Sequence, residues 1–169
     1  MIVDTDRQFT SAASPTALAL LAKQGLVTPL DITFGNTARL AGYWLAPDTW
    51  QAGGDGALVL YWQPQRRLSL ALAGVFQLSL RLFPPGAAEP IAAATYPVLP
   101  LCQGGRDLMP ETLAPVRYPL ALPPTAPPGV YTLKVCVTAG SEGEAVAGTQ
   151  AGGAAQPLDC LTLPVKVAH

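Results

Sequence analysis

The sequence has little charge and almost no histidine. Only 12% of its 169 residues are charged, and ten basic against eleven acidic residues give a net charge of -1. No stripe of lysine or arginine is present to bind a phosphate backbone or an anionic membrane surface, so nucleic acid is not expected as a partner. The one histidine, His169, is the last residue. A Ser-His-Asp triad and a histidine-based metal site within the chain are therefore excluded.

Long apolar runs are also missing. A membrane-spanning helix needs about 20 apolar residues, whereas the longest helical apolar run, 17–22, is followed by Lys23 and Gly25. We therefore expect no direct membrane insertion of this chain. The first seven residues include Asp4 and Asp6 where a secretory signal has basic residues, so no signal peptide is predicted. A fragment of an exported protein would also lack a signal peptide, so this absence does not distinguish between compartments. The compartment is therefore inferred from the cysteines.

Cysteine is scarce, and its spacing fits no paired zinc or redox motif. The three cysteines are Cys102, Cys136 and Cys160. In the strand-like runs 130–139 and 158–167, alternation places Cys136 and Cys160 on the faces opposite the apolar ones. If these runs form a hairpin centred near Gly148, the two cysteines are directly opposed and within reach of a disulfide.

Two other arrangements of the cysteines stay open. Cys136 and Cys160 can be unpaired thiols, or Cys102 can pair with either of them. A disulfide would favour an oxidising compartment. We therefore expect an extracytoplasmic location, periplasmic or at the cell surface.

The residues that are abundant favour a turn-rich β protein. Half of the chain is hydrophobic, which is enough for one sizeable core, and there are 18 prolines and 16 glycines. Residues 1–29 are predicted to be an amino-terminal arm with one short helix. Ser14 and Pro15 are typical of a helix start, and Gly25 of a helix end. Residues 30–169 are predicted to be a single β-sandwich domain.

Alternating apolar and polar residues predict about eight strands in that domain. They cover 30–34, 39–45, 57–63, 72–83, 91–99, 116–122, 130–139 and 158–167, with Trp50 in the loop after the second. Run 91–99 contains Pro97 and suits a sheet edge. The connections are too short for crossover helices, which excludes a parallel α/β fold. The fold class is therefore all-β, an antiparallel two-sheet sandwich of immunoglobulin-like or jelly-roll type.

Three segments resemble a known module. They are Phe34-Gly35-Asn36 with Leu40-Ala41-Gly42-Tyr43, then Leu58-Val59-Leu60-Tyr61-Trp62, then Leu122-Pro123 with Pro127-Pro128-Gly129-Val130-Tyr131-Thr132-Leu133-Lys134-Val135. Over about residues 30 to 167 the chain resembles the carboxy-terminal β-sandwich of bacterial multi-pass membrane glycosyltransferases of the protein mannosyltransferase or aminoarabinose transferase kind. The resemblance implies an extracytoplasmic accessory domain of a larger membrane-anchored protein, and it transfers no catalytic residue. The cysteine pair is not part of that pattern.

One cluster of residues is a candidate ligand site. Tyr43, Trp44, Asp48 and Trp50 surround a turn at one end of the predicted sandwich, and Asp55 follows in the same loop. Aromatic rings beside a carboxylate suit a shallow sugar site. The competing interpretation is that the rings close the sandwich against the amino-terminal helix. Catalysis by Asp48 and Asp55 is disfavoured because they lie in a Gly-rich, solvated stretch. Calcium binding by the same carboxylates is disfavoured because the sequence does not establish the number of oxygen ligands that calcium needs.

The sequence therefore favours a non-enzymatic accessory module without cofactor or metal, linked to cell-envelope glycan biology. Its expected partner is a glycan or a membrane-embedded protein segment. The alternatives are a purely structural domain that supports a membrane-bound partner chain, and a small hydrolase or inhibitor on the same fold.

Overall fold

The computed structural model describes residues 15–34, 38–64, 76–98, 113–139, 144–145, 148–150, 157–158 and 160–169. Within these ranges it contains one helix, α1 (Pro15–Lys23), and twelve strands. The strands are β1 (Thr28–Phe34), β2 (Ala38–Ala46), β3 (Thr49–Gln51), β4 (Asp55–Pro64), β5 (Phe76–Phe83), β6 (Ala92–Pro97), β7 (Ala114–Ala121), β8 (Gly129–Ala139), β9 (Glu144–Ala145), β10 (Gly148–Gln150), β11 (Pro157–Leu158) and β12 (Cys160–Ala168).

The strands form two sheets packed as a sandwich. The first sheet has the order β11-β10-β1-β2-β4-β7, and the second has the order β3-β12-β8-β5-β6, with β9 attached to β8. The all-β sandwich expected from the sequence is confirmed, as is the edge position of the strand that contains Pro97. One pairing departs from the expected antiparallel arrangement, because β3 runs parallel to β12.

Alternation along the strands builds the core between the sheets. In β5, Leu78, Leu80 and Leu82 are fully buried, while Arg81 between them is exposed. The same period of two buries one face of β8, β12 and β7. Burying a leucine side chain stabilises a fold by about 2 kcal/mol, so these alternating positions provide the main driving force for the two-layer arrangement.

Strand β4 is buried on both faces. Leu58, Leu60 and Trp62 face the core between the sheets, whereas Val59 and Tyr61 belong to a second apolar cluster on the outer side of the first sheet.

The cover over the second apolar cluster comes from α1 and the segment after it. Leu18 and Leu21 of α1 pack against the second cluster, which also includes Val27. Gly42 of β2 allows the close approach, since an added Cβ there would lie 2.9 Å from Val27 Cγ1. The helix ends where expected, with Gly25 at a φ of 72°. No helix of the described ranges is long and apolar enough to cross a membrane.

Two details of the predicted element pattern were wrong. Trp50 lies in the short strand β3 rather than in a loop, because the chain crosses to the second sheet there and pairs with β12. The stretch 140–157, expected to be a loop, contributes β9, β10 and the start of β11. The arm boundary at residue 29 stays a prediction, and β1 begins at Thr28.

The hairpin of β8 and β12 has the register that the sequence suggested, with Cys160 opposite Cys136. The two cysteines form a disulfide with a Cα to Cα distance of 4.4 Å. It lies on the face of the second sheet that points away from the core. Cys102, the third cysteine of the competing pairings, lies outside the described residues.

Candidate functional site

An open groove lies where the chain passes from the first sheet to the second. Strand β2 ends at Ala46, a cis peptide bond joins Ala46 to Pro47, and Thr49 begins β3 in the other sheet. The groove has a volume of about 360 Å³. Its walls come from the α1–β1 connection, the start of β1, the end of β2, the β2–β3 turn, β3, β8 and β12. They are formed by Gly25, Leu26, Thr28, Tyr43, Trp44, Leu45, Asp48, Thr49, Val130, Pro164 and Lys166.

Three of the five candidate residues meet in this groove. They are Tyr43, Trp44 and Asp48. Neighbouring side chains of a strand point to opposite faces, and accordingly Tyr43 packs against the core between the sheets while Trp44 packs against the cluster under α1. Both rings are half-buried, and Asp48 is exposed. The groove thus combines aromatic surface with a carboxylate.

The other two candidates lie elsewhere. Trp50 is 0% exposed and belongs to the core, where its ring covers Gly56 so closely that an added Cβ at Gly56 would overlap the indole. Asp55 is exposed at the start of β4 and is not part of the groove wall. The competing interpretation, that the rings close the sandwich against the amino-terminal helix, fits Trp44, which packs against the same cluster as Leu18 of α1, whereas Trp50 packs between the sheets. The role of these residues in ligand binding stays a prediction.

The opposite wall is a row of side chains across the second sheet. Thr49 of β3, Lys166 of β12 and Val130 of β8 are cross-strand neighbours in the register. Lys166 therefore brings an ammonium group to the groove that also holds the Asp48 carboxylate. With the Thr28 and Thr49 hydroxyls, the groove offers hydrogen-bond donors and acceptors as well as charges of both signs.

Sequence reasoning missed Lys166 and Val130, although a signal for them was present. The symmetry about residue 148 that places Cys136 opposite Cys160 also places Val130 opposite Lys166. Thr49 and Thr28 carried no comparable signal, because Thr49 reaches the groove through the crossing between sheets and Thr28 through its position opposite Tyr43 in the pairing of β1 with β2.

The groove also has an apolar rim. Leu26 is 48% exposed and Val130 is 57% exposed, which is high for side chains of this size. In the described part of the chain, no group of three or more His, Cys, Asp or Glu side chains is placed to hold a metal ion. The groove is therefore equipped for non-covalent binding through rings, hydroxyls and opposite charges.

Comparison with known proteins adds a likeness among solved structures. No family model matches the chain, and no curated protein matches it. The fold is similar to a crystal structure of the C-terminal domain of Wzt, with a TM-score of 0.48 and 10% sequence identity, over 84% of this chain and 83% of that one. A TM-score and an identity of this size carry no information about what this chain binds. The all-β sandwich implied by the resemblance to glycosyltransferase-associated domains is present, and the link to glycosyltransferases stays a prediction.

Proposed function

We propose that this chain is a non-catalytic extracytoplasmic binding module that holds a glycan in the groove between its two sheets. The observation that carries the proposal is the meeting of Tyr43, Trp44 and Asp48 in one groove with Lys166. Sugars present apolar C–H faces together with many hydroxyl groups. Such a ligand fits a concave site in which aromatic surface is combined with a few convergent polar groups.

The disulfide supports an extracytoplasmic location for this function. Cys136 and Cys160 are joined on a half-exposed outer surface, and structural disulfides persist where the surroundings are oxidising. Glycans of the cell envelope are found in the same place. As the sequence resemblance implies, the module would be an accessory part of a larger membrane-anchored protein.

A glycan array with the 169-residue chain and two variants tests the proposal. Trp44→Ala removes ring surface from the groove, and Asp48→Asn removes the carboxylate charge while keeping the shape. Glu89→Gln is the matched control, because Glu89 is an exposed carboxylate in the β5–β6 connection. We expect glycan binding to weaken at least fivefold in Trp44→Ala and in Asp48→Asn. For Asp48→Asn this corresponds to about 1 kcal/mol for one lost polar contact. Glycan binding should be unchanged in Glu89→Gln.

Circular dichroism separates loss of binding from loss of folding, since Trp44 also packs under α1. Asp48→Asn keeps the test decisive if Trp44→Ala is unstable. Absence of any glycan ligand, or binding that neither groove variant weakens, would overturn the proposal.

A protein segment is the second candidate ligand, and the exposed rim of Leu26 and Val130 favours it. An apolar segment of a membrane-bound partner would bury these side chains. In that case Val130→Asp would abolish association with the partner, whereas Asp48→Asn would leave it intact. The structural-domain interpretation makes a further prediction, that deleting the domain lowers the stability of the partner chain.

A further inference from the structure

Positive charge is concentrated on the outer face of the second sheet, which is the face that points away from the core. It carries Arg81 of β5, Lys134 of β8 and Lys166 of β12, and all three side chains are exposed. Strands β3, β5, β6, β8 and β12 contain no Asp or Glu, whereas the short strand β9, which pairs with the end of β8, contains Glu144. Asp48 shares the groove with Lys166, but Arg81 and Lys134 have no acidic residue opposite them in the register of β5, β6, β8 and β12.

Two of these cations are direct cross-strand neighbours. Arg81 and Lys134 are opposed in the register of β5 and β8, and like charges in such positions destabilise a sheet. The next positions in the same row, Ala93 on β6 and Thr162 on β12, are uncharged. The Lys134 ammonium lies 5.0 Å from the centre of the Phe83 ring, a contact that favours the cation but adds no negative charge beside Arg81. A bound anion between Arg81 and Lys134 would counter the repulsion between them.

The charged row is continuous with the groove. Lys166 is opposite Val130, four residues along β8 from Lys134, which corresponds to about 13 Å at the rise of a strand. Thr132 and Pro164 lie between them on the same face. A short oligosaccharide seated in the groove at Lys166 therefore has a path along β8 and β12 to the Arg81 and Lys134 pair.

The chemistry of this face favours an acidic glycan over other polyanions. Among the described residues this face carries three cations, which is fewer than the cluster of about four to eight that marks recognition of an anionic membrane and fewer than the six to ten or so phosphate contacts of a typical nucleic-acid complex. The same face also carries the hydroxyl groups of Ser79, Thr132 and Thr162, which suit sugar hydroxyl groups. Carboxylates spaced along a sugar chain match separated cations.

We propose that the outer face of the second sheet and the groove together bind an acidic polysaccharide, with sugar rings in the groove and carboxylates held by Lys166 and by the Arg81 and Lys134 pair. This inference rests on the proposed glycan-binding function and names its ligand class as a polymer that contains uronic acids.

The test compares a polyuronate with its own carboxyl-reduced form, so that only the charge of the ligand differs. Binding of the 169-residue chain to each polymer is measured by calorimetry at two salt concentrations. Arg81→Gln and Lys134→Gln are the test variants. Arg117→Gln is the matched control, because Arg117 is an exposed arginine on edge strand β7 of the first sheet and its loss changes the net charge equally.

We expect the polyuronate to bind more tightly than its reduced form and to lose affinity as salt is added. Each test variant should weaken polyuronate binding about two- to fivefold, as is typical of exposed charge pairs. The same variants should leave binding of the reduced polymer unchanged, and Arg117→Gln should match the parent chain with both polymers.

Equal binding of the two polymers, with no effect of Arg81→Gln or Lys134→Gln, would overturn the acidic-glycan proposal while leaving glycan binding by the groove intact. Binding of neither polymer, together with an array that shows no glycan ligand, would overturn the proposed function itself. Tighter binding to phosphatidylserine vesicles than to polyuronate, lost in the same two variants, would assign this face to a membrane surface and contradict the proposal.

Discussion

At the scale of single residues, the buried aromatic side chains differ in how their polar atoms are satisfied. The Trp62 indole N–H donates to the Tyr118 hydroxyl at 2.9 Å, and that hydroxyl donates to the Val98 carbonyl oxygen. The Tyr131 hydroxyl donates to the Pro127 carbonyl oxygen four residues upstream, as in the tyrosine corner of Greek-key sandwiches. The buried Trp50 indole N–H has no hydrogen-bond partner among the described residues. The indole N–H of Trp62 therefore stabilises the fold through a hydrogen bond to Tyr118, whereas the indole N–H of Trp50 makes no such contribution among the described residues.

A pair of double-mutant cycles tests this difference. Trp62→Phe and Tyr118→Phe should show a coupling of about 1 kcal/mol in the free energy of unfolding, because they share a buried hydrogen bond. Trp50→Phe and Tyr118→Phe should be additive, since Trp50 donates no hydrogen bond to Tyr118. Urea unfolding followed by circular dichroism gives both values. Coupling of equal size in the two cycles would contradict a specific hydrogen bond between Trp62 and Tyr118.

At the scale of elements, the β8–β12 hairpin holds the second sheet together. It is one of the two inner pairings of that sheet, and the Cys136 to Cys160 disulfide joins the two strands across 24 positions of sequence. A cross-link of this loop length removes conformational freedom from the unfolded chain. The hairpin also places Lys166 and Lys134 on the outer face, so its stability bears on the proposed binding surface.

Replacing both cysteines, Cys136→Ser and Cys160→Ser, should lower the free energy of unfolding by about 3 kcal/mol through this loop-closure effect. Reducing the parent chain with dithiothreitol should produce the same loss of stability, and the reductant should not destabilise the double variant further. Urea midpoints with and without reductant measure these changes. A Cys102→Ser variant as sensitive to reductant as the parent supports this connectivity, whereas a reductant-insensitive one would point to a bridge that involves Cys102.

At the scale of the whole molecule, packing buries two tyrosine side chains on different surfaces, Tyr118 in the core between the sheets and Tyr61 on the covered outer side of the first sheet. Burial raises the pKa of Tyr118 well above its ordinary value of 10.0, and the hydrogen bond from Trp62 offsets only part of that effect. Burial also raises the pKa of Tyr61, beneath the cover that α1 provides. These hydroxyl groups are therefore protonated in the folded state and ionise readily only when the chain unfolds.

The consequence is a loss of stability at alkaline pH. Below about pH 10 both states keep these protons, and the contribution of the two tyrosines is constant. As the pH rises above 10 the unfolded state releases them first, so the free energy of unfolding falls by up to about 1.4 kcal/mol per pH unit for Tyr118, and the raised pKa of Tyr61 acts in the same direction. Chemical unfolding across this range, with Tyr118→Phe as the comparison, should show a shallower slope in the variant. Identical slopes, or tyrosinate absorbance that reaches its full value near pH 10 while the chain stays folded, would contradict this account.

Much of the sandwich was predictable because strand alternation and turn chemistry are local. The buried face of β5 followed from the period of Leu78, Leu80 and Leu82, and the end of α1 from Gly25. The register of Cys136 and Cys160 followed from hairpin symmetry, which links sequence distance to pairing. The arm and domain boundary and the ligand roles of the candidate residues stay predictions.

Within the candidate site, sequence alone identified Tyr43, Trp44 and Asp48 as neighbours because they are close along the chain. It also grouped Trp50 with them, and only the packed structure separates them, since the crossing to β3 turns Trp50 onto Gly56 and into the core. Lys166 reaches the groove only through the parallel pairing of β12 with β3.

The amino-acid sequence by itself determined that this protein is an all-β sandwich, because the two-residue period of its apolar side chains leaves one face of each strand to be buried. Only the tertiary structure decided which surfaces became the groove and the cationic outer face. Those surfaces depend on contacts between residues far apart in the chain, such as Val27 on Gly42 and Arg81 opposite Lys134. Local periodicity carries no information about such contacts, since it specifies which side of a strand is buried but not what lies against it.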